Sequence, residues 1–305
     1  MRIMLQFPEG LKQQAMGEAS KLEAQGHEVL ISASPCYGAC DLCLDEARNV
    51  KAEKIIHFGH AEFMKVKSDI EIEYVPYFSE LDWEAGKRVL DKAVKMLAGQ
   101  KARVVALVFP VQHLENSKKV KKYLEESGLE VTLGMGGGHV RHPGQVLGCD
   151  SDAAANAGEA DAVLYFGGGK FHPTGIPSAK PVLCADPHLG DSYWITDEIR
   201  RVERKRQGSI LAAATKAGAF GILVSTKCGQ INMTGARMAK KLLEKKRKTA
   251  AILVANELNP VSLANFMSFD AYINTACPRI NDDTELYGKP IVNVADMKRL
   301  LELMV

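Results

Sequence analysis

The sequence has almost no excess charge of either sign, with 39 lysines and arginines against 37 aspartates and glutamates and a formal net charge of +2. A dedicated nucleic-acid binder normally has a marked basic excess, so we expect no nucleic-acid partner. There is also no apolar run near the ~18 residues of a membrane span, and no N-terminal apolar stretch long enough for a signal-peptide core. These absences predict a cytoplasmic protein without a membrane partner.

Low-complexity segments and linkers rich in serine or proline are missing as well. With 46% hydrophobic and 25% charged residues, the composition is that of a globular protein and excludes disordered, collagen-like and coiled-coil classes. The 305 residues exceed the ~150 that one domain usually holds, so the length predicts two domains or more.

One pattern occurs three times along the chain and indicates an internal repeat. The three copies are Ala52-Glu-Lys-Ile-Ile-His-Phe-Gly59, Ala160-Asp-Ala-Val-Leu-Tyr-Phe-Gly167 and Phe269-Asp-Ala-Tyr-Ile-Asn-Thr-Ala276, at offsets of 108 and 109 residues. Each reads as a short buried strand. The strands around it also repeat: first strands are expected at 2–7, 103–109 and 220–224, and last strands at 72–75, 180–186 and 289–296.

Apolar stripes of helical period lie between these strands, and alternating strands and helices are typical of parallel α/β sheets. We therefore predict three similar Rossmann-like domains of the α/β class, with parallel sheets in a pseudo-threefold arrangement around a central site. Their expected bounds are residues 1–99, 100–207 and 208–305. Helices at 83–98 and 192–206 are predicted to carry the chain from one domain to the next.

Two cysteines occupy equivalent positions in the first two repeats. Cys40-Asp41 and Cys149-Asp150 are 109 residues apart, each in the loop after a second strand, where the acidic residues that follow indicate the start of a helix. The third repeat has Cys277 instead, at the end of its third strand. Because the carboxyl ends of parallel strands form the binding crevice in open α/β sheets, we expect the three thiolates to meet at one centre.

Three thiolates favour an iron–sulfur cluster over zinc. A cubane cluster normally takes four protein thiolates, so three ligands leave one iron open to a substrate. Structural zinc normally takes four ligands that close the site.

The remaining cysteines allow other interpretations. Cys36-x3-Cys40-x2-Cys43 has the spacing of the cluster motif in the radical S-adenosylmethionine superfamily, and it could also give zinc three thiolates. No paired histidines or second CxxC complete such a zinc site. Cys184 lies in an apolar strand and is expected to be a core thiol, whereas Cys228 lies in a crevice loop and could either function or only line the site.

At these cysteines the chain resembles the archaeal diphthamide synthase radical enzymes, a 3-amino-3-carboxypropyl transferase family that begins diphthamide biosynthesis. The matching pieces are Tyr37-Gly-Ala-Cys-Asp41, Gln145-Val-Leu-Gly-Cys-Asp150 and Thr275-Ala-Cys-Pro-Arg279. Their order and their long spacings make the signature specific, and the resemblance covers nearly the whole chain.

The resemblance implies that Cys40, Cys149 and Cys277 bind a 4Fe-4S cluster in each subunit of a homodimer, in a fold that is not a TIM barrel. It further implies that S-adenosylmethionine is cleaved on its aminocarboxypropyl side, with one electron from an electron donor. The resulting radical adds to a histidine of translation elongation factor two and leaves methylthioadenosine. Cys36 and Cys43 beside Cys40 are a departure from this pattern, so exchange of ligands stays open.

Loops at the predicted crevice provide candidates for binding S-adenosylmethionine. Glycines would let the backbone approach the ligand closely, although a tight turn explains them equally well. Histidine and glutamine side chains could hydrogen-bond the substrate, and lysine or arginine could neutralise its carboxylate. The candidates are Gly167, Gly168, Gly169, His172, Lys227, Gln230 and Arg279, with weaker ones at Gln112 and His113.

Two other functions stay open. Quinolinate synthase also has three similar domains and one cluster ligand from each, but it is a condensing dehydratase that uses no radical. The second alternative is a non-catalytic iron–sulfur partner protein, which would have no need of an open iron. Release of methylthioadenosine by the reduced protein would separate these functions from the radical transferase.

Overall fold

In the computed structural model, which describes residues 1–177 and 179–304, each third of the chain forms one sheet. The first has the spatial order β2-β1-β3-β4 and consists of β1 (Arg2–Gln6), β2 (Glu28–Ile31), β3 (Lys54–Gly59) and β4 (Glu71–Pro76). The second has the order β6-β5-β7-β8-β9 and consists of β5 (Val104–Val108), β6 (Glu130–Thr132), β7 (Ala162–Phe166), β8 (Val182–Asp186) and β9 (Asp191–Trp194). The third has the order β11-β10-β12-β13 and consists of β10 (Ala219–Ser225), β11 (Thr249–Ala255), β12 (Ala271–Asn274) and β13 (Ile291–Asn293).

Helices of very different length connect the strands. The long ones are α1 (Ala15–Glu23), α3 (Trp83–Gly99), α4 (Leu114–Glu126), α6 (Thr196–Lys216) and α7 (Met233–Lys245). The short ones are α2 (Leu44–Asn49), α5 (Asp152–Ala155), α8 (Pro260–Ala264), α9 (Thr284–Tyr287) and α10 (Met297–Leu303). Helix α3 shows why these segments fold locally: Asp82 caps its first turn by accepting the Glu84 N–H at 3.0 Å.

The first four strands of each sheet are parallel and share one topology. Their central strands are apolar on both faces: every residue of β7 is buried, and so is every residue of β8 and β12. Burial on both faces is what parallel strands require, since helices cover each side of the sheet. The prediction of an α/β protein with three similar, mostly parallel sheets is confirmed.

The helix predicted at 192–206 is wrong at its start. Residues Asp191–Trp194 form β9, which pairs antiparallel with β8 and brings Leu183 opposite Trp194. Helix α6 begins only at Thr196, whose side chain accepts the Val182 N–H at 2.9 Å, and runs to Lys216. These residues form an edge strand rather than the start of the helix because pairing with β8 satisfies the backbone hydrogen-bonding groups of residues 191–194.

The chain divides into two compact units, Met1–Ile199 with the first two sheets and Arg200–Val305 with the third. The sheets lie within the predicted bounds 1–99, 100–207 and 208–305, while the division into three domains stays a prediction. In the described ranges, no helix has the length and apolar character needed to cross a bilayer.

Candidate functional site

All three predicted cluster cysteines lie in loops that follow strands. Cys40 lies in the loop between β2 and α2, Cys149 between β6 and α5, and Cys277 directly before a 3-10 helix (Pro278–Asp283) that follows β12. Cys149 is exposed and the other two are half-buried, and all seven cysteines of the chain are thiols rather than disulfide partners. Burial raises the pKa of the Cys277 thiol.

The aspartates that follow Cys40 and Cys149 are buried and fold back on their own loops. Asp150 accepts the N–H groups of Gly137 and His139 at 2.9 and 3.0 Å, and Asp41 accepts the N–H of Tyr37 at 3.4 Å. Buried carboxylates with backbone donors hold a loop in one conformation. The two Cys-Asp pairs are therefore similar in local structure as well as in sequence.

The helices do not begin at the cysteines, as the sequence predicted, but slightly later. Helix α2 starts at Leu44 after the N-cap Cys43, and α5 starts at Asp152. Both helices are short, with six and four residues, so they contribute little dipole to the thiolates. The reason is that Asp41 and Asp150 bond to N–H groups of the preceding loop instead of capping a helix.

One group of potential metal ligands is absent from the sequence prediction. Cys36, His57 and His60 each have one potential ligand atom, and these three atoms lie within 4.8 Å of one another. Burial lowers the pKa of His57 to about 3 and that of His60 to about 4, and it raises the pKa of the Cys36 thiol to about 12. The signal in the sequence is His57 itself, a polar residue in the otherwise apolar β3.

The local CxxxCxxC interpretation stays open. Among the described residues, the metal-sized group at Cys36 contains His57 and His60 and neither Cys40 nor Cys43. Cys43 is buried at the start of α2, and burial raises its pKa to about 12. Cys184 is fully buried in β8, which confirms the prediction of a core thiol.

The three glycines predicted to approach a ligand directly follow β7, and each has a structural reason of its own. A Cβ on Gly168 would stand 2.9 Å from His188 Cδ2, and one on Gly167 would stand 2.9 Å from Pro110 Cδ. Gly169 has a φ of 73°, in the left-handed region that favours glycine, and its N–H donates to Asp186 at 3.2 Å. The tight turn is present, and a ligand role for its backbone stays a prediction.

His113 is the most deeply buried polar candidate beside this turn. It is 1% exposed and packs edge-on against Phe166, and its ring centre lies 5.4 Å from that of His188. Within the described part of the chain, no hydrogen-bond partner reaches His113 Nδ1 or Gln112 Oε1. His172 lies nearby, with its ring stacked on Tyr165 at a centroid distance of 6.5 Å.

We expect His113 to lower the free energy of unfolding as the pH falls. Burial lowers its pKa to about 4, below the ~6.5 of an unfolded chain, so the unfolded state takes up a proton first as pH falls. Between pH 7 and pH 5 this histidine alone should remove about 2 kcal/mol of unfolding free energy. Urea titrations of wild type and His113→Leu at the two pH values measure it.

The control for this prediction is His142→Leu, which replaces a half-buried histidine of the same sheet's loops. The His113 variant should lose part of the pH dependence that the His142 variant keeps. An equal pH dependence in both variants would show that His113 is accessible to protons in the native state.

In the second unit, the two cationic candidates already have acidic partners. Lys227 is 6% exposed and pairs with Glu257 at 2.6 Å. Arg279 pairs with Asp282 at 2.5 Å, and Asp282 also pairs with Arg206 at 2.7 Å. Gln230 follows Lys227 by one turn, with its backbone N–H on the Lys227 carbonyl at 2.9 Å.

Comparison with known proteins identifies the relatives of this chain. A model of the family described as putative diphthamide synthesis protein matches residues 7–304. The 2-(3-amino-3-carboxypropyl)histidine synthase of Pyrococcus horikoshii is 36% identical over 99% of this chain and 86% of its own length, and that of Methanocaldococcus jannaschii is 27% identical over 99% and 84%. A crystal structure of Dph2 from Pyrococcus horikoshii with a 4Fe-4S cluster superimposes with a TM-score of 0.88 at 33% identity, covering 99% of this chain and 86% of that one.

Proposed function

The chain belongs to the diphthamide synthesis protein family, and we propose that it is a 2-(3-amino-3-carboxypropyl)histidine synthase that binds a 4Fe-4S cluster through Cys40, Cys149 and Cys277. The observation that carries the proposal is the repeated topology, in which each sheet has one of these cysteines in a loop after a strand. The cluster in the similar Pyrococcus horikoshii structure supports the same cofactor.

The donor set fits such a cluster. All three cysteines are thiols, on loops rather than inside strands, and none is as deeply buried as the core thiol Cys184. Three thiolates leave one iron without a protein ligand, as an enzyme requires whose substrate must reach the metal. For the same reason we disfavour a non-catalytic partner protein.

The proposed substrate is S-adenosylmethionine, and the proposed acceptor is a histidine of translation elongation factor two. When bound, the cluster supplies one electron, taken from a separate electron donor, to the sulfonium. The carbon–sulfur bond on the aminocarboxypropyl side would then break, methylthioadenosine would leave, and the 3-amino-3-carboxypropyl radical would add to C2 of the imidazole. The adduct would lose the C2 hydrogen as a proton to solvent and one electron to the oxidised cluster, which restores the aromatic ring. The chain itself contributes binding and orientation, in a subunit that we propose to act as a homodimer.

Loop residues of the second and third sheets are proposed to hold the substrate. The turn at Gly167, Gly168 and Gly169 presents backbone without side chains, and His172 beside it offers ring nitrogens. Lys227 and Arg279 now pair with Glu257 and Asp282, and the substrate carboxylate would replace these partners on binding. Gln230 would donate or accept a hydrogen bond one turn from Lys227.

Anaerobic turnover with labelled S-adenosylmethionine tests the proposed function. Protein that has been reduced and contains cluster should release methylthioadenosine and transfer the labelled aminocarboxypropyl group to elongation factor two. Turnover of quinolinate precursors without methylthioadenosine would instead support the dehydratase. A cluster-containing protein that turns over neither substrate would indicate a partner protein.

We expect His172→Ala and Gln230→Ala to lose affinity or rate for S-adenosylmethionine by about tenfold to hundredfold, because one buried polar contact is worth ~1–3 kcal/mol. Iron content should stay at the wild-type level, since neither residue is a proposed ligand. Single-turnover release of methylthioadenosine measures the effect. A matched control is Gln100→Ala, at the C-cap of α3, which should keep wild-type kinetics. Wild-type kinetics in both His172→Ala and Gln230→Ala would mean that the substrate binds to other loops.

A further inference from the structure

A second cluster of metal-ligating side chains lies in the first sheet, apart from the three cysteines of the proposed function. Cys36, His57 and His60 each offer one ligand atom, and these atoms lie within 4.8 Å of one another. Cys36 is 4% exposed and His57 is fully buried. Loops after β2 and β3 carry Cys36 and His60, and His57 lies within β3 itself. Soft and borderline donors gathered in a buried place are the usual composition of a transition-metal site.

Gln6, at the end of the intervening strand β1, fixes the tautomer of His57. Its Nε2 donates to the Asp41 carbonyl at 2.7 Å, so its Oε1 is the atom that faces His57 Nδ1 at 2.9 Å. A carbonyl oxygen only accepts, and His57 Nδ1 must therefore carry the hydrogen. The lone pair of His57 is then on Nε2, which points toward His60 Nδ1 at 3.0 Å. This arrangement, an imidazole held by a carbonyl on its far nitrogen, is how metal-binding histidines are oriented in proteins.

The spacing of the donors suits a tetrahedral ion. Zinc binds histidine nitrogen at ~2.0–2.1 Å and thiolate at ~2.3 Å, which places two nitrogens roughly 3.3 Å apart and nitrogen and sulfur roughly 3.6 Å apart. The two ring nitrogens already stand 3.0 Å apart, so the ion needs only a small separation of the rings and a small approach of the sulfur.

We propose that Cys36, His57 and His60 bind one divalent zinc-like transition-metal ion, with the fourth coordination position open to water or another small ligand. On binding, the Cys36 thiol releases its proton to solvent, and the hydrogen of His60 moves from Nδ1 to Nε2, so that one proton leaves for each ion bound. The ion is separate from the iron–sulfur cluster, because none of its ligands is among the three cysteines assigned there.

The same contacts give the ion a structural consequence. Gln6 bonds at once to His57 Nδ1, to the Asp41 carbonyl and to the Cys43 N–H, the last at 3.3 Å. The loop that contains Cys40 is thus tied on one side through Gln6 and on the other through Cys36. An ion at this place would hold the conformation of that loop whether or not a cluster is present.

Cobalt(II) is the probe, because a tetrahedral Co²⁺ ion with a thiolate ligand shows ligand-field bands in the visible and a sulfur charge-transfer band in the near ultraviolet. The experiment uses the full chain, kept anaerobic and treated with chelator, after its iron–sulfur content has been measured. This protein should bind one equivalent of Co²⁺ and show both the ligand-field bands and the charge-transfer band. Zn²⁺ should displace the Co²⁺. Cys36→Ser should lose the charge-transfer band, and His60→Gln should weaken Co²⁺ binding by about 100-fold or more.

Two control variants separate this site from the cluster site. Cys43→Ser should bind Co²⁺ as wild type does, although Cys43 is as buried as Cys36. Cys40→Ala should also keep the His60-dependent Co²⁺ site while it loses the cluster, and Cys36→Ser should keep the cluster. Loss of Co²⁺ binding in Cys43→Ser but not in His60→Gln would overturn the proposal in favour of the cysteine triplet. If the protein binds no Co²⁺, or if its Co²⁺ spectrum does not change in His60→Gln, the proposal is overturned. Neither result would bear on the cluster.

Discussion

We expect Cys149→Ala and Cys277→Ala each to abolish the visible iron–sulfur absorbance and the release of methylthioadenosine. In a three-ligand site each thiolate holds its own iron, so the loss of one leaves two irons without protein ligands. Cys149 is exposed on the loop after β6. Iron and sulfide analysis of anaerobically purified protein measures the loss.

Cys184→Ala is the matched control, because it removes a thiol that is fully buried within β8. That variant should lose some stability from the cavity but should keep its iron. Cys36→Ala and Cys43→Ala should likewise keep the cluster. Retention of a full cluster in Cys149→Ala or Cys277→Ala would refute the ligand set, and its loss in both Cys36→Ala and Cys43→Ala would restore the local CxxxCxxC motif.

The sheets were predictable because their information is local. Strands such as β7 and β8 are buried on both faces and read as short apolar runs, and their repetition at near-constant offsets reveals the common topology. Edge strand β9 was missed because its sequence Asp-Ser-Tyr-Trp is not an apolar run and also fits the start of a helix. It becomes a strand only through pairing with β8, a contact that the sequence does not display.

The site was predictable to a smaller extent, for a related reason. Equivalent cysteines can be found from the repeat, but the group of Cys36, His57 and His60 joins residues from two loops and a strand. Only a polar residue in an apolar strand hinted at it. The partners of Lys227 and Arg279 were equally invisible, since Glu257 and Asp282 acquire their roles through the fold of the third sheet.

The loop that carries Cys149 should depend strongly on Asp150. Its carboxylate is 5% exposed and accepts two backbone N–H groups, from Gly137 and His139. Removing the carboxylate in Asp150→Ala takes away the acceptor of two partly buried hydrogen bonds, at a cost of ~1–2 kcal/mol for each. We expect a loss of about 2–4 kcal/mol in unfolding free energy, measured by urea titration.

The comparison that isolates the hydrogen bonds is Asp150→Asn, which keeps the shape and one acceptor oxygen and should cost less than the alanine variant. Glu159→Ala, at an exposed position in the loop before β7, should stay within about 0.5 kcal/mol of wild type. Because Cys149 directly precedes Asp150, the alanine variant should also bind less iron during cluster reconstitution, while Glu159→Ala binds the wild-type amount. Equal iron content and equal stability in Asp150→Ala and Glu159→Ala would mean that the loop keeps its conformation without the carboxylate, and that the shared Cys-Asp pairs have another origin.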